Sequence, residues 1–570
     1  ELKREIKDRK TKKMIKVIKP AIARKSINEQ IKLLHSRATK QKQILEWFYE
    51  HFTEIPVQQL MEKLNVSRSV ITSLIEKQLL TEEERQVYRD PYKISSNEMS
   101  EPLPLTAVQK QAIAPILTAV SQEKRETFLV HGVTGSGKTE IYLQSIAKVI
   151  EKGKEAIVLV PEISLTPQMV KRFKQRFGEK VAVMHSGLSA GEKFDEWLKI
   201  QRKQVKVVVG ARSAIFAPFE NLGMIIIDEE HESSYKQEET PRYHAREVAE
   251  WRSKYHQCPL VLGSATPSLE SYARSVKGVY HLCELSERIH SQQMPTVMIV
   301  DMREEMRAGN RSIFSTTLIE HLKETIARGE QCVLLLNRRG FSTFIICRDC
   351  GYVAECPHCD ISLTYHKNKQ TIKCHYCGYE EPSATQCPEC QSQHIRFFGT
   401  GTQKVEEELS KLIPEVRIIR MDVDTTSRKG AHEKLLTAFG NKQADVLLGT
   451  QMIAKGLDFP DVTLVGVITA DTMLNLPDFR SAERTFQLLT QVAGRAGRHE
   501  RLGNVIIQTY TPEHYSIQYA SEHHYQAFFN REMSIRKTHG YPPYYFLTGI
   551  TISHPELMKV IAVSEQIAIF

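Results

Sequence analysis

The chain has 570 residues, a formal net charge of +9, 41% hydrophobic residues and 25% charged residues. These proportions exclude a disordered or fibrous class, and no apolar run approaches the roughly 20 residues that span a bilayer. Residues 1–40 hold 14 Lys or Arg and 4 Asp or Glu. Phosphate binding and a solvated linker account for this basic segment equally well. Because the chain does not begin with Met, we expect its start to be an internal cut.

The residues after the basic segment are predicted to form a winged helix at 42–95. Apolar residues recur at helical spacing in 42–51 and 57–64, and Ser67 can cap a third helix. Residues 81–89 are expected to form a hairpin. In such a motif the third helix can enter the major groove of DNA. A packing module that touches no DNA fits the pattern equally well.

Two series of strand-length apolar runs then alternate with helical stretches, which predicts parallel sheets buried on both faces by crossover helices. The fold class is therefore α/β, with two parallel-sheet lobes and a partial α+β domain at the C-terminus. Residues 548–553 are expected to be a strand of that last domain. The predicted boundaries are 1–41 for a basic linker or remnant of an N-terminal DNA-binding region, 42–95 for the winged helix, 96–275 for lobe 1, 276–346 and 392–512 for the two parts of lobe 2, 347–391 for a Cys-rich insertion and 513–570 for a truncated C-terminal domain.

Residues 132–139, Gly-Val-Thr-Gly-Ser-Gly-Lys-Thr, follow a predicted strand and open a predicted helix, which is the context that a phosphate loop requires. Glycines let backbone N–H groups approach phosphates at a helix N-terminus. Lys138 would neutralise the β- and γ-phosphates, and Thr139 would hold Mg²⁺. The sequence therefore predicts a site for ATP and Mg²⁺. Its predicted residues in this loop are Gly132, Gly135, Ser136, Gly137, Lys138 and Thr139.

Two carboxylates follow the buried run 223–227, at the ligand-binding rim of an open parallel sheet. Asp228 is predicted to hold Mg²⁺ through water, and Glu229 to polarise the attacking water as a general base. Upstream of the phosphate loop, Gln109 offers both a donor and an acceptor, which suits an adenine edge.

A second arginine-bearing motif is predicted to complete the nucleotide site from lobe 2. Residues 491–498 read Gln-Val-Ala-Gly-Arg-Ala-Gly-Arg. An arginine that reaches the γ-phosphate stabilises charge in the transition state. Arg495 and Arg498 are therefore predicted to be catalytic and to link ATP occupancy to closure of the lobes.

Eight of the 11 cysteines lie in four C-x-x-C pairs between residues 347 and 390, which provides thiolates for two tetrahedral Zn²⁺ ions. The inner pairs have nearly zinc-ribbon spacing, so they are predicted to share one ion and to leave the outer pairs for the other. With all four positions filled, both ions would be structural, and an iron–sulfur cluster is the alternative. Clustered thiols also indicate a reducing, cytoplasmic compartment. The predicted ligands are Cys347, Cys350, Cys387 and Cys390 for the first site and Cys356, Cys359, Cys374 and Cys377 for the second.

Together these segments resemble superfamily-2 helicases of the DExH kind. Residues 263–267 (Gly-Ser-Ala-Thr-Pro) look like the coupling motif of lobe 1, and 337–340 and 449–458 look like two lobe 2 motifs. Combined with the runs at 159–168, 210–213 and 399–403 and with the eight-Cys insertion, they are similar to the bacterial family of primosomal replication-restart helicases. The resemblance covers roughly residues 42–570.

This resemblance implies RecA-like motor lobes and an ATP-dependent 3′-to-5′ DNA helicase that acts at stalled or abandoned forks and assembles the primosome. It implies forked and single-stranded DNA, single-stranded DNA-binding protein and helicase-loading proteins as partners, no membrane, and a cytoplasmic place on the nucleoid. The family's N-terminal domain, which grips a 3′ DNA end, is expected to be missing. The alternatives are a zinc scaffold that binds forks, a double-strand DNA translocase that recruits helicase loaders, and an RNA helicase.

Within this family, an aromatic-rich loop after the acidic motif couples DNA contact to hydrolysis, and here it spans 235–244. Its tyrosines can stack on unpaired bases and its cations can meet phosphates, whereas a loop with inward-packed tyrosines is the alternative. The resemblance adds Gly456 and Asp458 to the predicted ATP and Mg²⁺ residues. The predicted DNA contacts are Arg212, Tyr235, Lys236, Arg242, Tyr243, Arg338 and Thr450.

Overall fold

The computed structural model describes residues 13–89, 92, 98–161, 167–289, 294–336, 344–366, 370–397, 401–426, 430–454, 459–497 and 502–569. Among these residues, a search for a helix with the length and hydropathy of a bilayer span finds none.

The first unit is a small antiparallel sheet packed against four short helices. Its elements are β1 (Met14–Pro20), α1 (Arg24–Leu33), α2 (Thr39–His51), β2 (Ile55–Pro56), α3 (Val57–Leu64), α4 (Arg68–Glu76) and β3 (Leu80–Gln86). The strands are ordered β2-β1-β3. Ile18, Ile27, Phe48 and Leu60 are fully buried between sheet and helices.

Strand β3 shows that the hairpin predicted at residues 81–89 is wrong. It pairs with β1 along its whole length, so its partner comes from before the helices. Val17 and Ile18 of β1 are buried, and burying this apolar pair stabilises the strand even though lysines surround it in the sequence. The boundary predicted at residue 42 therefore cuts through the unit. The winged-helix assignment stays a prediction.

Lobe 1 is built on seven parallel strands, which confirms the predicted parallel sheet. The sheet is ordered β12-β4-β11-β8-β5-β7-β6, while β9 and β10 form a separate hairpin. Its outer strand β12 lies beyond the boundary predicted at residue 275. The strands are β4 (Thr127–Gly132), β5 (Glu155–Leu159), β6 (Val181–Met184), β7 (Val207–Gly210), β8 (Leu222–Asp228), β9 (Lys236–Gln237), β10 (Tyr243–His244), β11 (Leu260–Ser264) and β12 (His281–Leu285). The helices are α5 (Ala107–Gln122), α6 (Lys138–Glu151), α7 (Pro167–Phe177), α8 (Ala190–Gln201), α9 (Ala245–His256) and α10 (Leu269–Val276).

The carboxyl ends of three neighbouring strands, β4, β11 and β8, meet at one edge of this sheet. The register places Ser264 beside His131 and Gly263 beside Asp228. The phosphate loop, the coupling motif and the acidic motif therefore lie side by side, because parallel strands direct their carboxyl ends to the same edge.

The first part of lobe 2 leads into the Cys-rich insertion. It comprises β13 (Thr296–Asp301), α11 (Met302–Arg307), α12 (Thr316–Ala327) and β14 (Gln331–Leu336). The insertion contains β15 (Ile345–Cys347), β16 (Thr364–His366), β17 (Thr371–Lys373), β18 (Glu380–Pro382) and β19 (Ile395–Phe397). Strands β15 and β19 pair with each other, and β16, β17 and β18 form a three-stranded antiparallel sheet.

After the insertion, the chain completes a six-stranded parallel sheet in the order β13-β23-β22-β14-β21-β20, which confirms the second predicted lobe. Its remaining elements are α13 (Thr402–Leu412), β20 (Ile418–Met421), α14 (Val423–Thr426), α15 (Ala431–Gly440), β21 (Val446–Gly449), β22 (Val462–Thr469), α16 (Asp471–Leu474), α17 (Ser481–Ala493) and β23 (Asn504–Thr509).

Three helices follow lobe 2, namely α18 (Tyr515–Ser521), α19 (Tyr525–Thr538) and α20 (Leu557–Ile569). Helices α18 and α19 contribute Ile517 and Phe528 to a core that includes residues of both lobes, so the boundary predicted at 513 separates elements that pack together. Residues 548–553 are not a strand. A β-strand is stabilised by hydrogen bonds to a neighbouring strand, and among the described residues no strand pairs with this segment.

Candidate nucleotide site and zinc centres

The phosphate loop is a tight turn between β4 and α6. Gly135 and Gly137 have φ angles of +84° and +83°, a region that glycine adopts without the Cβ penalty of other residues. Lys138 begins α6, and its Nζ donates to the carbonyl oxygen of Gly132 at 2.7 Å. The ammonium is thus held over the loop, together with Ser136 and Thr139, where a phosphate would need a counter-charge.

Gln109 supports this loop from α5. It is the third residue of a capping box with Thr106, whose N–H donates to Gln109 Oε1 at 2.9 Å. The Gln109 Nε2 donates to the carbonyl of Ser136, also at 2.9 Å. Both ends of the amide therefore already have a partner within the protein, and the predicted adenine contact stays a prediction.

The two carboxylates at the end of β8 occupy different environments. Burial raises the pKa of the Asp228 carboxyl to about 6, with the Glu229 charge acting in the same direction and the Lys138 charge opposing it. Tyr142 donates to Asp228 Oδ1 at 3.0 Å. Glu229 has a positive φ of +47°, and its buried Oε2 accepts no hydrogen bond from the described residues. It lies 3.6 Å from His231 Nδ1, beyond hydrogen-bond distance, and can accept a hydrogen bond from a water molecule, as a general base requires.

Hydrogen bonds join the acidic motif to the coupling motif. His231 Nδ1 and Ser264 Oγ are 2.7 Å apart, and Ser264 Oγ accepts from the Thr266 N–H at 2.9 Å. Glu230 is buried and accepts from the N–H of Ser268 at 2.7 Å. Sequence reasoning named both motifs but did not find these links, because the partners are more than 30 residues apart.

Lobe 2 reaches the phosphate loop through the turn after α17. A Cβ added to Gly494 would lie 2.1 Å from Thr134 Oγ1 in the loop, so only glycine permits this approach. Arg288, which the sequence did not single out, donates to the carbonyl of Gly497 at 3.2 Å. Arg495 lies between these two contacts and is half-buried. The structure thus brings the arginine motif to the phosphate loop.

The described residues do not include four of the predicted site residues, namely Arg338, Gly456, Asp458 and Arg498. Thr450 is half-buried after β21.

The loop after the acidic motif contradicts one predicted DNA contact. Tyr235 is 1% exposed, and its hydroxyl donates to the backbone carbonyl of Asp228 at 2.6 Å. It therefore cannot stack on a base, because its ring is used to position the acidic motif. Lys236 and Arg242 are exposed on the β9–β10 hairpin, so they remain accessible to a phosphate.

Arg212 and Tyr243 form the base of this hairpin. Arg212 Nη1 donates to the carbonyls of Ser234 at 3.0 Å and Lys236 at 2.6 Å, and its guanidinium lies 5.8 Å from the centre of the Tyr243 ring. Tyr243 is half-buried edge-on against Phe216, which is 56% exposed. Phe216 was missed by sequence reasoning, since a lone aromatic in a short helix carries no pattern.

The eight insertion cysteines form two clusters with the predicted pairing. Within each cluster the four Sγ atoms lie within 4.8 Å of one another. The Cys347–Cys390, Cys350–Cys387 and Cys356–Cys377 Sγ separations are 3.6, 3.5 and 3.5 Å. A tetrahedral ion with Zn–S bonds near 2.3 Å sets its sulfurs about 3.8 Å apart, so both clusters fit Zn²⁺. The ligands are Cys347, Cys350, Cys387 and Cys390 in one cluster and Cys356, Cys359, Cys374 and Cys377 in the other.

The zinc insertion is docked against lobe 2 and the segment after α19. A Cβ added to Gly351 would lie 2.3 Å from the carbonyl oxygen of Tyr510. The Tyr541 hydroxyl donates to the carbonyl of Cys359 at 2.5 Å. Both zinc sites are therefore tied by backbone contacts to the rest of the molecule.

Comparison with known proteins identifies the family. The DEAD/DEAH box helicase model matches residues 106–275, the PriA DNA helicase Cys-rich region model matches 356–382, and the helicase conserved C-terminal domain model matches 389–500. Replication restart protein PriA of Bacillus subtilis (strain 168) is 64% identical over 561 residues, which cover 98% of this chain and 70% of that protein. The chain belongs to the PriA family.

Two further PriA proteins agree. The one from Synechocystis sp. (strain ATCC 27184 / PCC 6803 / Kazusa) is 51% identical over 85% of this chain and 59% of its own length. The one from Chlamydia muridarum (strain MoPn / Nigg) is 42% identical over 85% of this chain and 65% of its own length. The chain thus spans about 59% to 70% of the length of these PriA relatives.

Membership of the PriA family confirms the predicted resemblance and the prediction of an ATP-dependent DNA helicase. The helicase domain matches also confirm ATP and Mg²⁺ as cofactors. Two Zn²⁺ are confirmed because the Cys-rich model covers one cluster and the ligands of the other flank it. The roles of the individual nucleotide and DNA residues are not tested by these matches and stay predictions.

Proposed function

We propose that this chain is the motor of replication restart and unwinds forked DNA in the 3′-to-5′ direction. The observation that carries the proposal is the contact of Gly494 with Thr134, where the arginine motif of lobe 2 meets the phosphate loop of lobe 1. A cleft closed by both lobes converts a change at the γ-phosphate into a change of the lobe positions.

Within this cleft we assign roles to four residues. Lys138 exchanges the Gly132 carbonyl for the β- and γ-phosphate oxygens. Asp228, ionised above a pH of about 6, would hold Mg²⁺, which neutralises phosphate charge. Glu229 orients the attacking water with its unbonded oxygen. Arg495 stabilises the charge that develops on the γ-phosphate. Arg498 shares that role in the proposal.

DNA contact is assigned to the β9–β10 hairpin and, in lobe 2, to the two residues predicted there, Arg338 and Thr450. Lys236 and Arg242 are exposed cations on a hairpin whose base is Arg212 and whose adjoining Tyr235 touches the acidic motif. A phosphate bound there pulls on the same segment that carries Asp228 and Glu229. This arrangement supports a direct mechanical link between DNA and hydrolysis.

The partners proposed are forked and single-stranded DNA, single-stranded DNA-binding protein and primosome helicase-loading proteins, in the cytoplasm on the nucleoid. The names of the PriA relatives, which state replication restart, support this assignment. A fork-binding scaffold and a double-strand translocase are the competing functions that the next experiment separates.

The test is strand displacement on forks with a 3′ or a 5′ single-stranded tail, with ATP, with a non-hydrolysable analogue, and with the Lys138→Ala variant. We expect displacement of the 3′-tailed fork with ATP alone and no displacement by the variant, although it still binds the fork. Equal activity of Lys138→Ala would establish a scaffold. ATP hydrolysis stimulated by duplex without displacement would establish a translocase.

A further inference from the structure

Helix α19 lies outside both matched helicase domains, which end at residues 275 and 500, yet it contacts both lobes. Its first half packs on lobe 1. The Tyr525 hydroxyl donates to the carbonyl of Pro267 at 2.9 Å, and the Tyr525 ring is edge-on to His131 at 5.0 Å. Since His131 directly precedes the phosphate loop and Pro267 ends the coupling motif, this end of α19 touches two nucleotide-site segments.

Helix α19 also packs on lobe 2, from near its start to its last turn. Arg536 is 1% exposed, and its Nη2 donates to Glu483 Oε2 on α17 at 2.7 Å. Nearer the start of α19, Phe528 stacks on Phe486 of α17, with ring centres 4.2 Å apart. Helix α17 ends directly before Gly494, so α19 holds the element that delivers the arginine motif.

Glu483 closes the connection between the lobes. Its other oxygen, Oε1, accepts from the N–H of Leu269, the first residue of α10 in lobe 1, at 3.1 Å. A carboxylate at a helix N-terminus satisfies an N–H without a partner in its own helix and meets the positive end of the helix dipole. Glu483 thus binds lobe 1 with one oxygen and the Arg536 guanidinium with the other.

The buried, charged surroundings of Arg536 strengthen its hydrogen bond to Glu483. Burial alone would lower the pKa of the Arg536 guanidinium, but the Glu483 and Glu532 charges more than offset it and hold that pKa above its ordinary value. Hydrogen bonds between charged groups in a dry interior are about twice as strong as neutral ones. Removing one partner also leaves the other charge uncompensated.

We propose that α19 is a brace that holds the two lobes in the closed arrangement, with Glu483 and Arg536 as positioning residues for ATP turnover. This inference rests on the proposed motor function. The segment directly after α19 also meets the zinc insertion, because the Tyr541 hydroxyl donates to the carbonyl of Cys359 at 2.5 Å. The Tyr541 ring stacks on Phe479 of lobe 2 at 4.8 Å, and Arg536 lies 5.1 Å from the same Phe479 ring. A force on the insertion is therefore transmitted to the nucleotide cleft through α19.

The test compares bonds that cross between lobes with matched bonds that do not. Glu483→Gln weakens the bonds to Leu269 and Arg536, and Tyr525→Phe deletes the bond to Pro267. The controls are Asp471→Asn, which removes a buried carboxylate charge that accepts from the Thr509 hydroxyl and the Tyr510 N–H within lobe 2, and Tyr515→Phe, which deletes the Tyr515–Glu532 bond. Neither control touches lobe 1 through the bond that it changes.

We measure kcat and KM for ATP with saturating single-stranded DNA, the melting temperature, and hydrogen exchange in residues 269–276. We expect Glu483→Gln to lower kcat/KM about tenfold, which corresponds to one charge-assisted bond, and to speed exchange at the start of α10. Tyr525→Phe should lower kcat/KM about threefold. The controls should stay within twofold of the wild type at comparable melting temperatures.

Equal losses in the crossing and control variants, or a kcat/KM that only follows the melting temperature, would overturn the brace. The wild-type enzyme and Lys138→Ala run beside them as references. If the wild type shows no DNA-stimulated hydrolysis, the motor function itself is wrong. If it does and Glu483→Gln matches Asp471→Asn, only the brace is wrong.

Discussion

The nucleotide cleft and the zinc insertion are assembled in opposite ways. The cleft takes the phosphate loop at 132–139, the acidic motif at 228–231 and the turn at 494–497, which are separated by about 90 and about 260 residues. The insertion takes all eight thiols from residues 347–390. The cleft therefore exists only when two lobes approach each other, whereas each zinc site is complete within one short segment. We expect damage to one region to leave the other intact.

The largest effect that separates the two regions is expected from Lys138→Ala. Loss of the ammonium removes the charge that stabilises the developing phosphate charge, so DNA-stimulated ATP hydrolysis should fall by roughly 10²- to 10³-fold. Zinc, measured by atomic absorption, should remain at two ions per chain, the number of clusters. A fall in zinc content together with hydrolysis would show that the regions are not independent.

The converse change is Cys356→Ser, with Cys258→Ser as the control because that thiol is also buried but lies outside the insertion. Three thiolates hold Zn²⁺ far less well than four. We expect zinc content to fall from two ions to about one and strand displacement to drop roughly tenfold, with ATP binding within about twofold of the wild type. If Cys356→Ser folds and unwinds DNA as the wild type does, the zinc module has no mechanical role.

The approach of the lobes is tested by Gly494→Ala. The added Cβ would lie 2.1 Å from Thr134 Oγ1, so the turn must retreat from the phosphate loop. Overpacking of this kind costs about 1–3 kcal/mol, and we expect kcat for ATP to fall roughly fivefold to tenfold. Gly549→Ala is the control, since a Cβ there meets nothing within 4 Å. An unchanged kcat in Gly494→Ala would mean that hydrolysis does not need this contact.

The smallest expected effect concerns the link between the acidic and coupling motifs. Ser264→Ala deletes the hydrogen bonds to His231 and to the Thr266 N–H. Neutral bonds contribute about 1 kcal/mol each, so the stimulation of hydrolysis by DNA should fall about threefold to fivefold with little change in the KM for ATP. Ser275→Ala, which removes a buried hydroxyl that bonds only within α10, should keep the full stimulation.

Much of the fold follows from local patterns in the sequence. Non-alternating apolar runs indicated buried parallel strands, and the runs at 128–130 and 224–227 lie in interior strands of the lobe 1 sheet, flanked by strands on both sides. The C-x-x-C spacing indicated both thiol clusters, because ligands of one ion have to be near each other in a short segment. In these cases, one physical requirement, strand burial or ligand spacing, places particular residue types at a fixed interval along the chain.

Features that depend on partners far away in the sequence produced no such local pattern. Strand β1 looked like a charged linker because only Val17 and Ile18 are buried, and its partner β3 lies some 65 residues later. Tyr235 is a different case: its partner, the Asp228 carbonyl, is only seven residues away, but a bond from a side chain to a backbone carbonyl needs no particular residue type at position 228. Arg288 and Glu483 belong to no sequence motif, and their structural roles come from hydrogen bonds to the opposite lobe.

The pairing of β15 with β19 closes the zinc insertion at its neck. Ile345 lies beside Phe397 and Cys347 beside Ile395, so residues 348–394 leave the lobe and return to it at one point. A flexible excursion of that length would add an entropic penalty to the completion of the lobe 2 sheet. With metal bound, the sheet has to close only a short connection. We therefore expect Zn²⁺ to speed the pairing of β14 with β21 and β22 during folding, measured as the refolding rate with and without Zn²⁺, without changing the cleft once both lobes have formed.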